Sequence, residues 1–327
     1  MRNFPCNDYG YALLGADEPV FCKAGEGYMI LTYKGESYKF PQYSWPIQLT
    51  SDRIVYASKK GNAIYSFDLA SKSIKQYKVK GTVYSFVGEN CEFAASHVTS
   101  WQNKFYFYRL PVDSEPILEG ELISKKLVNP HFMTVREESL YIINEGLLYR
   151  CDENGLNEIL DLSNYINVDA WHREFWICDD IAESNDTLYL DNIGDLYVID
   201  VSSTKAQLKN IYKSILPYDY LYSLMGNSVI TFNSGDVKWY DLSTGSCIHR
   251  IKTPYTDQDV TGVMRTCDDR IVLITRTTVV LVATESRVPE FNDFIDMQNG
   301  IGFGHYCNEN TLYIGNREGV WEIKSGT

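Results

Sequence analysis

The chain has 327 residues, 44% of them hydrophobic and 14% aromatic, which is enough for a large core and too apolar for a disordered chain. Its formal net charge is −13, from 43 acidic and 30 basic residues, with no Lys/Arg cluster to offset it. Such a surface repels phosphate backbones, so nucleic acid is excluded as an expected partner, and a basic protein would be steered toward it.

The N-terminus, MRNFPCNDYG, lacks an apolar h-region, and no stretch of eighteen apolar residues exists. Neither a signal peptide nor a membrane-spanning helix is therefore expected, and the cytoplasm is the expected compartment. Eight hairpin-like segments follow in chain order. They are PVFCKAGEGYMILTY (19–33), RIVYASKKGNAIYSFDL (53–69), EFAASHVTSWQNKFYFYRL (92–110), SLYIINEGLLYRCD (139–152), TLYLDNIGDLYVIDV (187–201), SVITFNSGDVKWYDL (228–242), RIVLITRTTVVLVAT (270–284) and TLYIGNREGVWEI (311–323). Each is an apolar strand, a turn and a second apolar strand; the third has a longer turn containing Trp101. The tight turns carry Asn144 and Gly146, Asn192 and Gly194, Asn233 and Gly235, and Asn316 and Gly319, the residue types that best tolerate φ > 0.

A further strand precedes these hairpins, as in HFMTV (131–135), DYLYSL (219–224), VTGVMRT (260–266) and IGFGHYC (301–307). A fourth follows, as in SIKQYKV (73–79), LNEILDL (156–162), AQLKNIY (206–212) and SCIHRIK (246–252). One equivalent apolar position recurs at Val20, Ile54, Phe93, Leu140, Leu188, Val229, Ile271 and Leu312. The mean interval is about 42 residues, and four short strands per unit of that length is the signature of a β-propeller. The expected architecture is all-β: a single propeller domain over residues 1–327 with eight four-stranded blades. Seven blades plus an N-terminal extension is the alternative. The last copy ends at Thr327 after its third strand, so residues 1–6 are expected to supply the missing strand and close the ring without an open edge.

One segment, VKWYDLSTGSCIHRIK (237–252), resembles the end of a WD repeat through Trp239, Asp241, Thr244 and Gly245. Its Asp-x-x-Thr-Gly stretch is also similar to the repeat of quinoprotein-like propellers. Weaker echoes stand at Asp68, Asp152 and Asp200, where an Asp side chain can accept backbone N–H bonds in the turn between third and fourth strands. The Gly-His pair of WD repeats occurs only as Gly304-His305, and the tryptophan-docking motif of quinoprotein dehydrogenases is absent. The resemblance therefore implies the architecture and carries over no active site.

No motif for chemistry emerges. The five His (97, 131, 172, 249 and 305) have no metal-ligand spacing, and GxSxG, P-loop and Rossmann signatures are absent. His249 reads as structural, in a fourth strand. The eight Cys form no CxxC pair and read as buried free thiols. Asp186, Asp191 and Asp195 read as turn caps, since the distal Glu of an EF-hand is missing. No catalytic residue, metal or cofactor is expected.

Two classes of function fit. The first is a non-enzymatic protein-binding propeller, acting as an interaction scaffold or as an acidic inhibitor or immunity-type protein. Its partner-binding residues are expected in the connections that enter each blade: Tyr43, Trp45, His131, Trp171, His172, Arg173, Tyr218, Tyr220 and Tyr255. Trp171, His172 and Arg173 stand in an insertion, SNYINVDAWHREFWICDD (163–180), in which Trp171 and Arg173 are expected at the rim and Trp176 at the start of a strand, in the core. The alternative is an enzyme of lactonase, lyase or hydrolase type, with its site at the channel mouth.

Overall fold

The computed structural model describes residues 2–5, 11–13, 18–25, 28–41, 43–58, 60–88, 90–99, 103–112, 114–124, 133–165, 175–178, 186–217, 222–225, 227–265, 271–275, 278–282, 291–296, 304–308, 311–315 and 319–324. Each of the eight recurring apolar positions falls on the first or second residue of a strand that is the second of its sheet. The strand β1 (Arg2–Pro5) comes first in the chain. The first sheet runs β2 (Tyr11–Leu13), β3 (Val20–Gly25), β4 (Tyr28–Tyr33) and β5 (Glu36–Pro41). The second runs β6 (Tyr43–Leu49), β7 (Arg53–Ser58), β8 (Ala63–Asp68) and β9 (Ile74–Lys78), and the third β10 (Thr82–Val87), β11 (Phe93–Val98), β12 (Asn103–Arg109) and β13 (Ile117–Ser124). The fourth runs β14 (Met133–Arg136), β15 (Ser139–Asn144), β16 (Leu147–Asp152) and β17 (Gly155–Asp161). The fifth runs β18 (Trp176–Ile177), β19 (Thr187–Asn192), β20 (Asp195–Asp200) and β21 (Gln207–Tyr212), and the sixth β22 (Tyr222–Met225), β23 (Ser228–Asn233), β24 (Asp236–Asp241) and β25 (Ser246–Lys252). The seventh runs β26 (Val260–Arg265), β27 (Ile271–Thr275), β28 (Thr278–Val282) and β29 (Phe291–Asp296).

The eighth sheet joins the two ends of the chain. Its order is β1, β32 (Gly319–Lys324), β31 (Thr311–Gly315) and β30 (Gly304–Asn308). Arg2 pairs with Glu322 and Pro5 with Gly319, so the N-terminal segment supplies the strand that the last copy lacks. Proline is tolerated there because β1 is an outer strand. Among the described residues the only helical element is a 3₁₀ turn, Ser163–Tyr165.

Two compact units emerge from the contacts. In the unit of Leu13–Ile177 and Asp200–Gln207, aromatic rings bind the first sheet to the second: Phe40 meets Tyr56 edge-on at 5.4 Å and Phe67 at 4.8 Å. Val55, Ala57 and Ile64 then pack with Val83, Ala94, Tyr106 and Tyr108 of the third sheet. Gly120 on β13 permits a close approach, since a Cβ there would lie 2.8 Å from the Leu156 side chain on β17. In the unit of Met1–Ala12, Cys178–Ile199 and Leu208–Thr327, one cluster gathers Cys178, Leu196, Ile215, Val229 and Leu242. Another joins Ile230, Phe232 and Trp239 to Val260, Val263 and Leu273.

The hairpin turns correct one sequence expectation. Three of them are two-residue turns in which both residues are left-handed: Glu145 and Gly146 (φ 51° and 82°), Ile193 and Gly194 (57° and 82°), Ser234 and Gly235 (53° and 79°). The asparagines expected to take φ > 0 instead end the preceding strand. Asn144 is buried there and donates to the Ser124 hydroxyl at 3.1 Å. A β-branched Ile193 in the left-handed region carries a steric cost that the turn imposes on it. Asn316 lies outside the described residues.

The aspartates behave as the turn chemistry requires. Asp68, Asp152, Asp200 and Asp241 accept the backbone N–H of Ser71, Asn154, Ser202 and Ser243 at 2.5, 2.9, 2.9 and 2.7 Å. In the WD-like segment Gly245 has φ 69°, and a Cβ on it would strike the Tyr212 ring at 2.7 Å. The Tyr212 hydroxyl donates to the Leu242 carbonyl, so the ring seals this turn against the fifth sheet. Asp191 and Asp195 are also turn caps: Asp191 accepts the Gly194 N–H at 3.0 Å, and Asp195 that of Ser214 at 2.8 Å.

Candidate protein-interaction surface

Three hairpin turns are gripped by the segment that leaves their own sheet, and a fourth by the first strand of the next sheet. The carbonyls of Gly61, Gly146, Gly194 and Gly235 accept the N–H of Val83, Leu162, Leu216 and Thr253 at 2.8, 2.7, 2.9 and 2.8 Å. These segments run past the turns so closely that side chains would collide. A Cβ on Gly194 would lie 2.9 Å from the Leu216 carbonyl oxygen, and one on Gly235 would lie 3.1 Å from that of Tyr255. Glycine thus meets two demands at once, a positive φ and a neighbouring backbone. The result is a set of connections held firmly at one end of their sheets.

The connection 253–259 shows how firmly. Thr253 accepts the Tyr255 N–H through its hydroxyl at 3.1 Å, Asp259 accepts the Thr256 N–H at 2.8 Å, and Asp257 accepts the Ser234 N–H at 2.6 Å. Tyr255 is half-buried against the cluster of Phe232, Trp239 and Val260. It is therefore partly a packing residue, with a remainder open to a partner.

The third sheet carries most of the exposed apolar side chains. Four residues separate its β11 from β12, as four separate β7 from β8 in the second sheet. Five of the eight large hydrophobic side chains that stand exposed among the described residues lie in the third sheet or in its loop: Val98, Val112, Ile117, Leu118 and Ile123. Register places Val98, Lys104 and Ile123 in one row across β11, β12 and β13, with Val98 41% and Ile123 59% exposed. Ser96, Tyr106 and Glu121 form the next row on the same face.

An ion network fixes this surface. Glu121 takes Lys104 at 2.9 Å and Lys80 at 3.1 Å, and both ammonium groups lie over the Tyr106 ring, at 5.5 and 5.2 Å. The hydrogen bond from Lys104, then that from Lys80, holds the Glu121 carboxyl below the usual carboxylate range. The main chain of Lys80 is pinned as well, its N–H by the Tyr108 hydroxyl at 2.9 Å and its carbonyl by the Ser96 hydroxyl at 2.6 Å. The arrangement sets Val98 and Ile123 on either side of Lys104, beside an ordered cluster of two ammonium groups and one carboxylate, and an exposed apolar pair of this kind suits contact with another protein.

The sequence-predicted residues fare differently. Tyr43 and Trp45 lie within β6, the first strand of the second sheet, rather than in the connection before it, and Tyr43 pairs with Ser58. The register shifts between Ser44 and Ile47, where Pro46 has no N–H to give. His131, Trp171, His172, Arg173, Tyr218 and Tyr220 lie outside the described residues, as does Trp101. Trp176 does begin a strand, and Phe175 beside it is buried. His249 sits on the fourth strand of its sheet with its ring edge-on to Trp239 at 6.4 Å. Sequence reading missed Val98 and Ile123, because an aliphatic residue on a strand gives no sign of which face stays open.

Cys22, Cys91, Cys151 and Cys178 are buried and form no disulfide, and burial pushes the Cys151 thiol up to about 12. Cys247 is free and exposed, which departs from the expected burial because β25 is an outer strand. Among the described residues no group of three or more potential metal ligands assembles, and no helix is long and apolar enough to cross a membrane.

Solved structures share the fold of this chain. It matches Sqt1 of Saccharomyces cerevisiae with a TM-score of 0.66 at 10% identity, over 99% of both chains. It matches the computationally designed Ika8 protein at 0.63 and 11% identity, over 98% of both chains. A chain of a mitotic checkpoint complex matches at 0.50 and 8% identity, over 99% of this chain and 93% of the other. The fold is that of a β-propeller. No protein-family model matches the chain, and no curated protein is similar to it in sequence.

Proposed function

We propose that this chain is a non-enzymatic protein-binding β-propeller, a single domain of eight blades in a ring closed by β1. The observation that carries the binding role is the exposed Val98–Lys104–Ile123 row on the third sheet, held beside the Lys80–Glu121–Lys104 network. The ion pairs hold Lys104 between the two exposed apolar side chains, which lowers the ordering cost of that lysine on association. The net charge of −13 favours a basic partner, bound either as a scaffold subunit or as the target of an acidic inhibitor of immunity type. Trp171, His172, Arg173, Tyr218, Tyr220 and Tyr255 are further candidate anchors by residue type, as aromatic and guanidinium groups.

Affinity capture from native lysate, quantified for the wild type and for Val98→Glu with Ile123→Glu, tests the reading. The expected outcome is one or a few stoichiometric proteins whose capture falls at least tenfold with the double variant while its melting temperature stays within about 2 °C of wild type. Equal capture by both forms contradicts this surface. Trp171→Ala with Arg173→Ala is the companion variant, and a drop in melting temperature before any binding loss removes those two residues from the interface.

A further inference from the structure

Arg53 begins β7 and is 5% exposed. Its guanidinium crosses from the second sheet to the third and donates only to main-chain carbonyls. Nη2 reaches those of Asn90 at 3.0 Å, Leu110 at 3.2 Å and Cys91 at 3.5 Å, and Nη1 reaches Pro111 at 3.5 Å. Nε is buried and has no hydrogen-bond partner. Among the described residues no carboxylate pairs with it, although Asp52 precedes it in sequence and Glu92 follows Cys91. A buried guanidinium is ordinarily matched by an anion, since carbonyl dipoles solvate the charge without neutralising it.

The same arginine lines a cavity of 10 Å³, room for one water or one monatomic ion. Ser66, Tyr77 and Ser114 also line it and bring three hydroxyl groups, while Leu110 and Pro111 form part of its apolar wall. Hydroxyls turn to donate toward an anion as readily as they accept from a cation. Arg53, a cation with an unused N–H, lines the cavity with them. Water in this place would satisfy Nε and leave the charge unmatched by any described carboxylate; an anion does both.

We infer that the Arg53 cavity is a binding site for a small monovalent anion of the halide class, held by Arg53 Nε and the hydroxyls of Ser66, Tyr77 and Ser114, and that the bound ion ties the second sheet to the third. Thermal melting at constant ionic strength, with chloride exchanged stepwise for gluconate, reads it directly, because gluconate is far too large for the cavity. The expected result is a saturable rise of about 3 °C with chloride, reproduced by bromide. Ser66→Asp places a carboxylate in the cavity, and this variant is expected to melt at the same temperature in chloride and gluconate. Arg53→Met tests the cation itself but removes four hydrogen bonds, so Ser66→Asp is the decisive variant where Arg53→Met does not fold. Crystals soaked in bromide are expected to show an anomalous peak within hydrogen-bonding reach of Arg53 Nε. An equal salt response in wild type and Ser66→Asp, or a soaked crystal with no peak in the cavity, overturns the assignment and leaves water as the occupant.

Discussion

The fourth and third sheets are built from the same four-strand unit and differ in one element. In the fourth, β15 and β16 meet through the two-residue turn Glu145-Gly146, and the Gly146 carbonyl takes the N–H of Leu162 from the departing chain. Its strands bury Leu140, Ile142, Ile143 and Leu148, and none of its large hydrophobics is among the exposed ones. In the third, the central hairpin is longer, and Val98 and Ile123 stand in the open beside an ordered ion network. In the fourth sheet the large hydrophobics are taken up by packing, and in the third several are not. The well-buried sheets act as a frame, and the third carries the proposed contact surface.

The largest effect comes from attacking the frame at its seam. Deleting residues 1–8 removes β1 and leaves β32 as an open edge. We expect the melting temperature to fall by about 5–10 °C, with more aggregation above it. Unchanged melting would mean that the frame does not depend on joining the two ends of the chain.

The turn glycines separate conformation from clearance. Gly194→Ala meets both a φ of 82° and the Leu216 carbonyl at 2.9 Å, whereas Gly35→Ala meets a φ of 80° and nothing within 4 Å. Urea unfolding should show a loss of about 2–4 kcal/mol for the first and about 1 kcal/mol for the second. Equal losses would show that the grip on the departing chain adds nothing beyond the turn itself.

A smaller effect lies in the same turn. Burial raises the Asp191 carboxyl to about 6, only partly offset by its hydrogen bond from Gly194. The native state therefore holds this proton more tightly than the unfolded chain does. Its contribution to stability is present at low pH and is lost as pH rises from about 4 through about 6. Asp191→Asn keeps the bond to Gly194 and removes the ionisation. It should stabilise the protein by about 2 kcal/mol at pH 7 and flatten the pH dependence across that window. A variant less stable than wild type at pH 7 would show that the carboxylate has a partner worth more than its desolvation.

Much of the frame was legible in the sequence because its signals are local. A positive φ calls for glycine, and a strand end calls for an Asp that can cap it; both leave a mark at fixed spacing. The eight apolar positions spaced by about 42 residues all fall at the start of second strands for the same reason. What local pattern could not fix was the identity of the left-handed residue. Asn144 and Asn192 looked like the turn residues, yet Glu145 and Ile193 take that place, because the neighbouring strand pairing sets the register. The surface was less legible still. Tyr43 and Trp45 read as loop anchors and fall within β6, since aromatic residues suit a strand as well as an interface. Val98 and Ile123 became visible only once three strands were in register, because exposure is a property of the neighbours.

Amide hydrogen exchange, followed residue by residue with and without the captured partner, tests the division between frame and surface most directly. The account predicts that bound partner slows exchange across 96–106 and 121–124 and leaves 140–150 unchanged. Protection centred on the regular hairpins, with none at Val98 or Ile123, would contradict it.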